Sequence, residues 1–148
     1  MRMPEQVGML KLGDMALKYI LDTCVCISLL KNKHKVRERV KSIGSNNCYV
    51  SEITVAELFF GAEKSGNPKH FQDVQDIMTL FKVLPISPNL SRYGKLRWEL
   101  ESIGLKVDTM DLFIGATAIN HKMILATGNV AHFSRMQNLS VENWMTES

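Results

Sequence analysis

The sequence is poor in cysteine and lacks long apolar runs. Its three cysteines, Cys24, Cys26 and Cys48, are an odd number without the paired spacing of a zinc site. Disulfide frameworks form in oxidising compartments, so these residues are expected to be reduced thiols. No stretch approaches the roughly 20 apolar residues that a membrane span requires, and residues 1–14 lack the apolar segment of a signal peptide. These absences predict a cytoplasmic protein that does not enter a membrane.

Two common kinds of catalytic site are also missing from the sequence. A serine or cysteine nucleophile needs a paired histidine, and no histidine stands in a recognisable motif. No glycine-rich stretch is followed by the Lys-Ser or Lys-Thr pair of a phosphate-binding loop. The four histidines are predicted to lie on surface helices or loops, outside any site: His34, His70, His121 and His132.

The remaining composition is that of one globular domain. Of the 148 residues, 45% are hydrophobic and 22% are charged, which suffices for a core and excludes the bias of a disordered chain. The formal net charge of +3 is compatible with a polyanionic partner but does not identify one. Residues 1–15 show no clear helical or strand periodicity and are predicted to be a tail. A single domain is predicted at residues 16–148.

Within that domain, short strand patterns alternate with helical patterns. Strands separated by helices predict an α/β fold, in which a largely parallel sheet is covered by helices on both faces. Ligands of such sheets bind beyond the carboxyl ends of the strands, near a topological switch point. The predicted strands cover residues 17–21, 48–50, 83–86, 123–126 and 139–141.

Three acidic residues stand at the ends of these elements. Asp22 directly follows the first strand, Glu57 lies in the first turn of a predicted helix, and Asp111 opens another helix. Three carboxylates gathered at one crevice would repel one another, and such a cluster persists mainly where a hard divalent cation neutralises it. Thr23 and Asn129 add neutral oxygen donors at matching strand ends. The sequence therefore predicts a Mg²⁺ or Mn²⁺ site.

Two of these acids also have a purely structural interpretation. Ser51 or Thr54 can cap the helix that carries Glu57, and Glu57 follows Thr54 by three residues, as in a capping box. Asp111 follows Asp108 by three residues at another helix start. Asp22 has no comparable structural role after a buried strand. The three acids together favour a site over separate helix caps.

Four sequence blocks, in this order, resemble the PIN-domain ribonucleases of the VapC toxin type. The resemblance covers nearly all of residues 17–144 and implies a PIN domain with about five parallel strands in the order 3-2-1-4-5. It also implies a Mg²⁺- or Mn²⁺-dependent endoribonuclease, a VapB-type antitoxin that masks the site, and a homodimer. Some relatives cut structured RNAs such as tRNA. The blocks are residues 19–23, 51–65, 111–118 and 125–133.

The resemblance also assigns roles to individual residues. It implies that Asp22, Glu57 and Asp111 are the catalytic, metal-binding acids. It implies supporting roles for three further residues near the strand ends, which are Thr23, Thr127 and Asn129.

Two positions depart from the family pattern. Cys24 replaces the Asn or Ser commonly found two residues after the first acid, and Gly128 stands where a larger polar residue is usual. A thiol is a poor ligand for Mg²⁺ and a good one for soft metals, so Cys24 affects substrate contacts rather than the acidic site.

A basic run from residue 31 to residue 41 contains a single acid, Glu38. One interpretation is a solvated helix face, and the other is a track for RNA phosphates, with Lys33, Lys35 and Arg37 as the binding residues. Both remain open at the level of sequence.

Three other functions compete with an antitoxin-controlled RNA hydrolase. One is an RNA-processing nuclease of the same fold without an antitoxin, and another is a catalytically silent PIN interaction module. Intact acids at all three positions argue against the silent module. A phosphatase or receiver-like α/β domain would require a nucleophile motif or a phosphoacceptor with a lysine, and the sequence shows neither.

Overall fold

The computed structural model describes residues 16–146, and five strands form its single sheet. All strand pairs are parallel, and the spatial order is third, second, first, fourth, fifth, which confirms the predicted sheet. The predicted tail, residues 1–15, lies outside the described part of the chain. The strands are β1 (Tyr19–Leu21), β2 (Cys48–Ser51), β3 (Lys82–Leu84), β4 (Ile124–Thr127) and β5 (Ser140–Asn143).

Helices connect the strands, and polar side chains cap several of their first turns. Asn67 accepts a hydrogen bond from the backbone N–H of Lys69, and Asp108 accepts one from that of Met110. None of the helices between residues 16 and 146 is long and apolar enough to cross a membrane. The helices are α1 (Thr23–Leu30), α2 (Val36–Ile43), α3 (Glu52–Ser65), α4 (Pro68–Leu80), α5 (Leu90–Glu101), α6 (Thr109–His121) and α7 (Val130–Phe133).

The core has two parts, one on each face of the sheet. Successive side chains of a strand point to opposite faces, so Tyr19 and Leu21 belong to one part and Ile20 to the other. Trp144 is fully buried and its ring centroid lies 5.4 Å from that of Tyr19. Burial on both faces explains why β1 and β4 read as short apolar runs rather than as alternating patterns.

Some predicted boundaries are wrong, and the structure decides between the two candidate caps of α3. β3 ends at Leu84, before Pro85, and β5 is shifted toward the C-terminus, to Ser140–Asn143. The cap of α3 is Ser51, whose Oγ accepts a hydrogen bond from the backbone N–H of Ile53 at 3.0 Å. Glu57 therefore lies in the second turn of α3, and the capping-box interpretation of this acid is excluded.

The first strand sits at the centre of the sheet, where the connections reverse direction. From β1 the chain proceeds outward to β2 and β3, and it then returns to the other side of β1 with β4. This reversal is the topological switch point of a parallel sheet, and it opens a crevice beyond the carboxyl ends of β1 and β4. Asp22 and Gly128 are the residues that directly follow these two ends.

Candidate active site

Asp22 lies at the switch point and is held by two hydrogen bonds. It is the N-terminal cap of α1, because its Oδ1 accepts the backbone N–H of Thr23 at 2.9 Å. Its Oδ2 accepts the hydroxyl of Thr127, at the end of β4, at 2.7 Å. The prediction that Asp22 has no structural role is wrong, since capping α1 is such a role. With 8% of its surface exposed, the carboxylate is fixed in position.

Thr23 links Glu57 to the same crevice. Its hydroxyl donates to Glu57 Oε1 at 2.7 Å and lies 3.3 Å from the hydroxyl of Thr54, which is fully buried. Burial is the main cause that raises the pKa of Glu57, and the charges of Asp22 and Asp111 raise it further. The hydrogen bond from Thr23 acts in the opposite direction.

Asp111 is the third residue of α6, in the turn capped by Asp108. Burial first, and then the charge of Asp22, raise the pKa of Asp111 above its ordinary value. His132 opposes this shift, because its ring Nε2 lies 3.0 Å from Asp111 Oδ2. Asp22 thus raises the pKa of both Glu57 and Asp111, so the structure brings the three predicted acids into one electrostatically coupled group.

The donor atoms of this group suit a hard cation. Carboxylate and hydroxyl oxygens are the ligands that Mg²⁺ and Mn²⁺ prefer, and Mg²⁺ binds through one or two carboxylates while keeping several waters. Within residues 16–146, no three His, Cys, Asp or Glu side chains converge closely enough to form a direct ligand set. The arrangement therefore fits an ion bound partly through water better than an ion enclosed by protein ligands.

The other predicted supporting residues differ in their contribution. Thr127 is fully buried, donates to Asp22, and accepts the backbone N–H of Asn129 at 3.0 Å. The exposed Asn129 is joined to the network by its backbone, while its side chain makes no capping bond to α7. Thr23 and Thr127 together hold two of the acids in place.

The two departures from the family pattern meet beside Asp22. Cys24 Sγ lies 3.8 Å from Asp22 Oδ2, and it accepts the backbone N–H of Gly128 at 3.5 Å. Burial is the main cause that raises the pKa of the Cys24 thiol. A Cβ atom at position 128 would lie 2.6 Å from Met145 Cγ, which explains why a glycine occupies this position.

His132 is the site residue that sequence reasoning missed. The prediction that every histidine lies outside a site is wrong for His132, which contacts Asp111 across 21 positions of the chain. Its position in α7, after the Thr127–Asn129 block, was the only sequence signal for this contact. Arg135 extends the contact, since its Nη2 lies 2.7 Å from His132 Nδ1.

The predicted RNA-binding residues lie beyond the end of α1 that is remote from Asp22. Lys33 and Lys35 are exposed in the loop that follows α1, and the eight residues of α1 separate this loop from Asp22 by about 12 Å. Arg37 donates from Nε to Leu29 O at 2.8 Å and from Nη2 to Leu30 O at 3.0 Å, at the carboxyl end of α1. Its guanidinium thus has a structural role, and RNA binding by the three residues stays a prediction.

A groove of about 350 Å³ adjoins the acids between α1, α3 and α4. Glu57 forms part of its wall, and apolar residues such as Ile27 and Leu58 form another part. Lys31 adds positive charge, whereas Lys69 pairs with Asp73, which also lines the groove. A partner in this groove would contact Glu57 directly.

Comparisons with known proteins agree with this geometry. The family model described as PIN domain matches residues 19–139. Ribonuclease VapC2 of Haemophilus influenzae is 33% identical over 132 residues, which cover 87% of this chain and 99% of that protein. The tRNA(fMet)-specific endonuclease VapC of Salmonella typhimurium is 34% identical over 131 residues, covering 86% of this chain and 98% of that protein.

Solved structures show the same similarity. The DNA-bound VapBC of Salmonella typhimurium superposes with a TM-score of 0.80 at 30% identity, over 86% of this chain and 98% of that chain. VapBC2 of Rickettsia felis, bound to a DNA fragment from its promoter, gives a TM-score of 0.77 at 32% identity, over 86% of this chain and 99% of that chain. The sheet order, the acids at its switch point and the similarity over most of both chains show that this chain belongs to the PIN-domain family and, within it, to the VapC ribonucleases.

Proposed function

We propose that this protein is a Mg²⁺- or Mn²⁺-dependent endoribonuclease and the toxin of a type II toxin–antitoxin pair. The observation that carries the proposal is the coupled group of Asp22, Glu57 and Asp111 at the switch point of the sheet. The charge of Asp22 raises the pKa of both Glu57 and Asp111, and a cation that neutralises this charge would relieve the repulsion. The names of the ribonucleases similar to this chain support RNA as the substrate.

The three acids would hold the ion, and the two threonines would orient the acids. When bound, the ion supplies a nucleophilic water at neutral pH and neutralises charge that develops on the phosphodiester. Thr127 fixes Oδ2 of Asp22, and Thr23 fixes Oε1 of Glu57. Each threonine thereby fixes one carboxylate oxygen, so Asp22 and Glu57 would hold the ion without reorganising when RNA binds.

The names of similar proteins indicate an RNA class, and the exposed lysines after α1 offer contacts to its backbone. Two similar proteins are named tRNA(fMet)-specific endonucleases, which makes tRNA the first substrate to test. The exposed Lys33 and Lys35 would contact backbone phosphates beyond the far end of α1, about 12 Å from Asp22. Such contacts give affinity and orientation without reading the sequence of the RNA.

A VapB-type antitoxin and a second copy of the chain are the proposed protein partners. The similar VapBC structures support the antitoxin, and a segment placed in the groove between α1, α3 and α4 would cover Glu57. Support for the homodimer comes from exposed apolar side chains, because Trp98 is 71% and Ile103 is 70% exposed. Co-expression with the neighbouring small open reading frame, followed by light scattering of the purified product, tests both partners.

Sequencing of RNA ends after brief expression in cells tests the proposed activity. The expected result is a small set of new 5′ ends in one RNA class, which are absent when an Asp22→Asn variant is expressed to the same level. The same ends in both samples would show that the cleavage does not depend on this site.

A catalytically silent PIN module is the second candidate. It is favoured by the absence, within residues 16–146, of three ligand-type side chains at direct coordination distance. This candidate predicts no new RNA ends with either protein. It also predicts no Mn²⁺ binding by the purified wild-type chain, which separates it from an active enzyme whose substrate is missing from the sample.

A further inference from the structure

A chain of hydrogen bonds runs from Arg135 through His132 to Asp111. Arg135 Nη2 lies 2.7 Å from His132 Nδ1, and His132 Nε2 lies 3.0 Å from Asp111 Oδ2. The three residues come from two separate helices and the turn that follows the second one, since Asp111 is on α6, His132 is on α7 and Arg135 follows α7. The contact thus ties one acid of the site to the segment beyond β4.

The partner on each ring nitrogen determines how the hydrogen bonds are directed. A guanidinium can only donate, so Nδ1 of His132 must be the acceptor of the bond from Arg135. The ring hydrogen of a neutral His132 is then on Nε2, and it is donated to Oδ2 of Asp111. Arg135 therefore selects the tautomer that can hold the carboxylate.

The imidazole ring is also fixed by its surroundings. The Nε of Arg135 donates to the backbone carbonyl of His132 at 3.2 Å, which closes a second link between the two residues. The ring meets the fully buried Phe133 edge to face, with centroids 5.6 Å apart and an interplanar angle of 80°. A ring held by Arg135 at Nδ1 and by the edge contact with Phe133 can set the orientation of Asp111, which is itself only partly buried.

We propose that His132, held by Arg135, is a positioning residue that orients the Asp111 carboxylate for the divalent ion. The inference rests on the proposed function, because it assigns His132 a role toward the same ion. The hydrogen bond from His132 engages Oδ2 of Asp111 and thereby restricts the rotation of the carboxylate. Hydrogen-bond partners of metal-binding carboxylates typically change metal affinity by about 10-fold to 100-fold.

Direct binding of Mn²⁺, measured by electron paramagnetic resonance of the free ion, tests the role without an RNA substrate. His132→Phe keeps a planar ring but removes the donor, and it is expected to weaken Mn²⁺ binding by at least about 10-fold. His132→Gln places an amide N–H near the position of Nε2 and should restore most of the affinity. The matched control is His121→Phe, at the exposed C-terminal end of α6, which should bind like the wild type.

Two outcomes of this titration would overturn the inference. Unchanged affinity of His132→Phe would show that the hydrogen bond does not position Asp111, and tighter binding would show that His132 withholds Asp111 from the ion. Absence of Mn²⁺ binding by the wild type, in contrast, would refute the proposed function. Loss of binding in Asp111→Asn with normal binding in His132→Phe would leave the proposed function standing and refute the role of His132.

The tautomer of His132, measured by NMR, tests the role of Arg135. Nitrogen-15 shifts of the metal-free protein should show His132 protonated at Nε2, and Arg135→Gln should reduce this preference and weaken Mn²⁺ binding. Arg135→Gln should add no further loss in the His132→Phe background, because it acts through the ring. Protonation of the His132 ring at Nδ1 in the wild type would contradict the role of Arg135. Additive losses of Mn²⁺ affinity in the double variant would contradict it as well.

Discussion

Thr127→Val tests whether the hydroxyl at the end of β4 holds the carboxylate of Asp22. The hydroxyl donates to Asp22 Oδ2 at 2.7 Å in a fully buried position, and valine has nearly the same shape without the donor. A hydrogen bond to a charged group contributes about 1.5–3 kcal/mol. For a domain of this size, a loss of about 2 kcal/mol lowers Tm by about 6 °C. Thermal unfolding in EDTA is the assay, so that no ion contributes.

The matched control for this variant is Thr117→Val in α6. Thr117 is equally buried, and its hydroxyl donates at 2.7 Å to the carbonyl of Phe113, one helical turn earlier. That carbonyl is uncharged and lies at the position of a normal helical partner, so the variant should lose no more than about 1 kcal/mol. Equal losses of Tm in Thr127→Val and Thr117→Val would refute the charge-assisted bond to Asp22.

Three further predictions concern other residues of the site and its surroundings. Burial and the neighbouring acids raise the folded-state pKa of Glu57, so its contribution to stability is complete below the unfolded pKa and is lost as pH rises through the folded pKa. Glu57→Gln should therefore raise Tm in EDTA at pH 7 and have little effect near pH 4, and a lower Tm at pH 7 would contradict the crowding of the acids. Replacing Lys33 and Lys35 by Gln should reduce the slope of log affinity against log salt by roughly 0.7 for each lost phosphate contact on single-stranded RNA, without moving the cut. Adding Arg37→Gln should also lower Tm, because Arg37 donates hydrogen bonds to the last carbonyls of α1. An unaltered salt slope in the triple variant would exclude RNA phosphate binding by these residues. Zn²⁺ should inhibit the wild type more strongly than Cys24→Asn, because a thiolate binds soft metals beside Asp22, and equal inhibition would place the thiol outside the reaction.

The sequence predicted the elements more reliably than their local caps. Apolar runs bounded by polar residues located the strands, because both faces of this sheet are buried. The start of α3 was ambiguous, since Ser51 and Thr54 are both capping residues and Thr54 has Glu57 three positions later. Both side chains are buried, and their hydrogen bonds decide between them. Ser51 Oγ accepts the backbone N–H of Ile53, whereas the hydroxyl of Thr54 contacts that of Thr23 on α1.

The candidate site was predictable where its residues follow strands or open helices. Asp22 and Thr127 stand at the ends of β1 and β4, and parallel strands bring such ends together. His132 was not predictable, because its contact with Asp111 joins two helices that are 21 positions apart in the chain. The role of Arg37 was hidden for a similar reason, as a charge in a basic run resembles a solvated residue until its partners are known.

Cleavage of RNA by the purified protein, with and without a divalent ion, is the decisive measurement of the proposed activity. The wild type is expected to cut end-labelled RNA at defined positions in Mg²⁺ or Mn²⁺. EDTA should stop the reaction, and added ion should restore it. Asp22→Asn, Glu57→Gln and Asp111→Asn should each remain folded by circular dichroism and fail to cut under the same conditions. Cutting at the wild-type positions by the triple variant, or undiminished cutting by the wild type in EDTA, would contradict a metal-dependent ribonuclease built on these three acids.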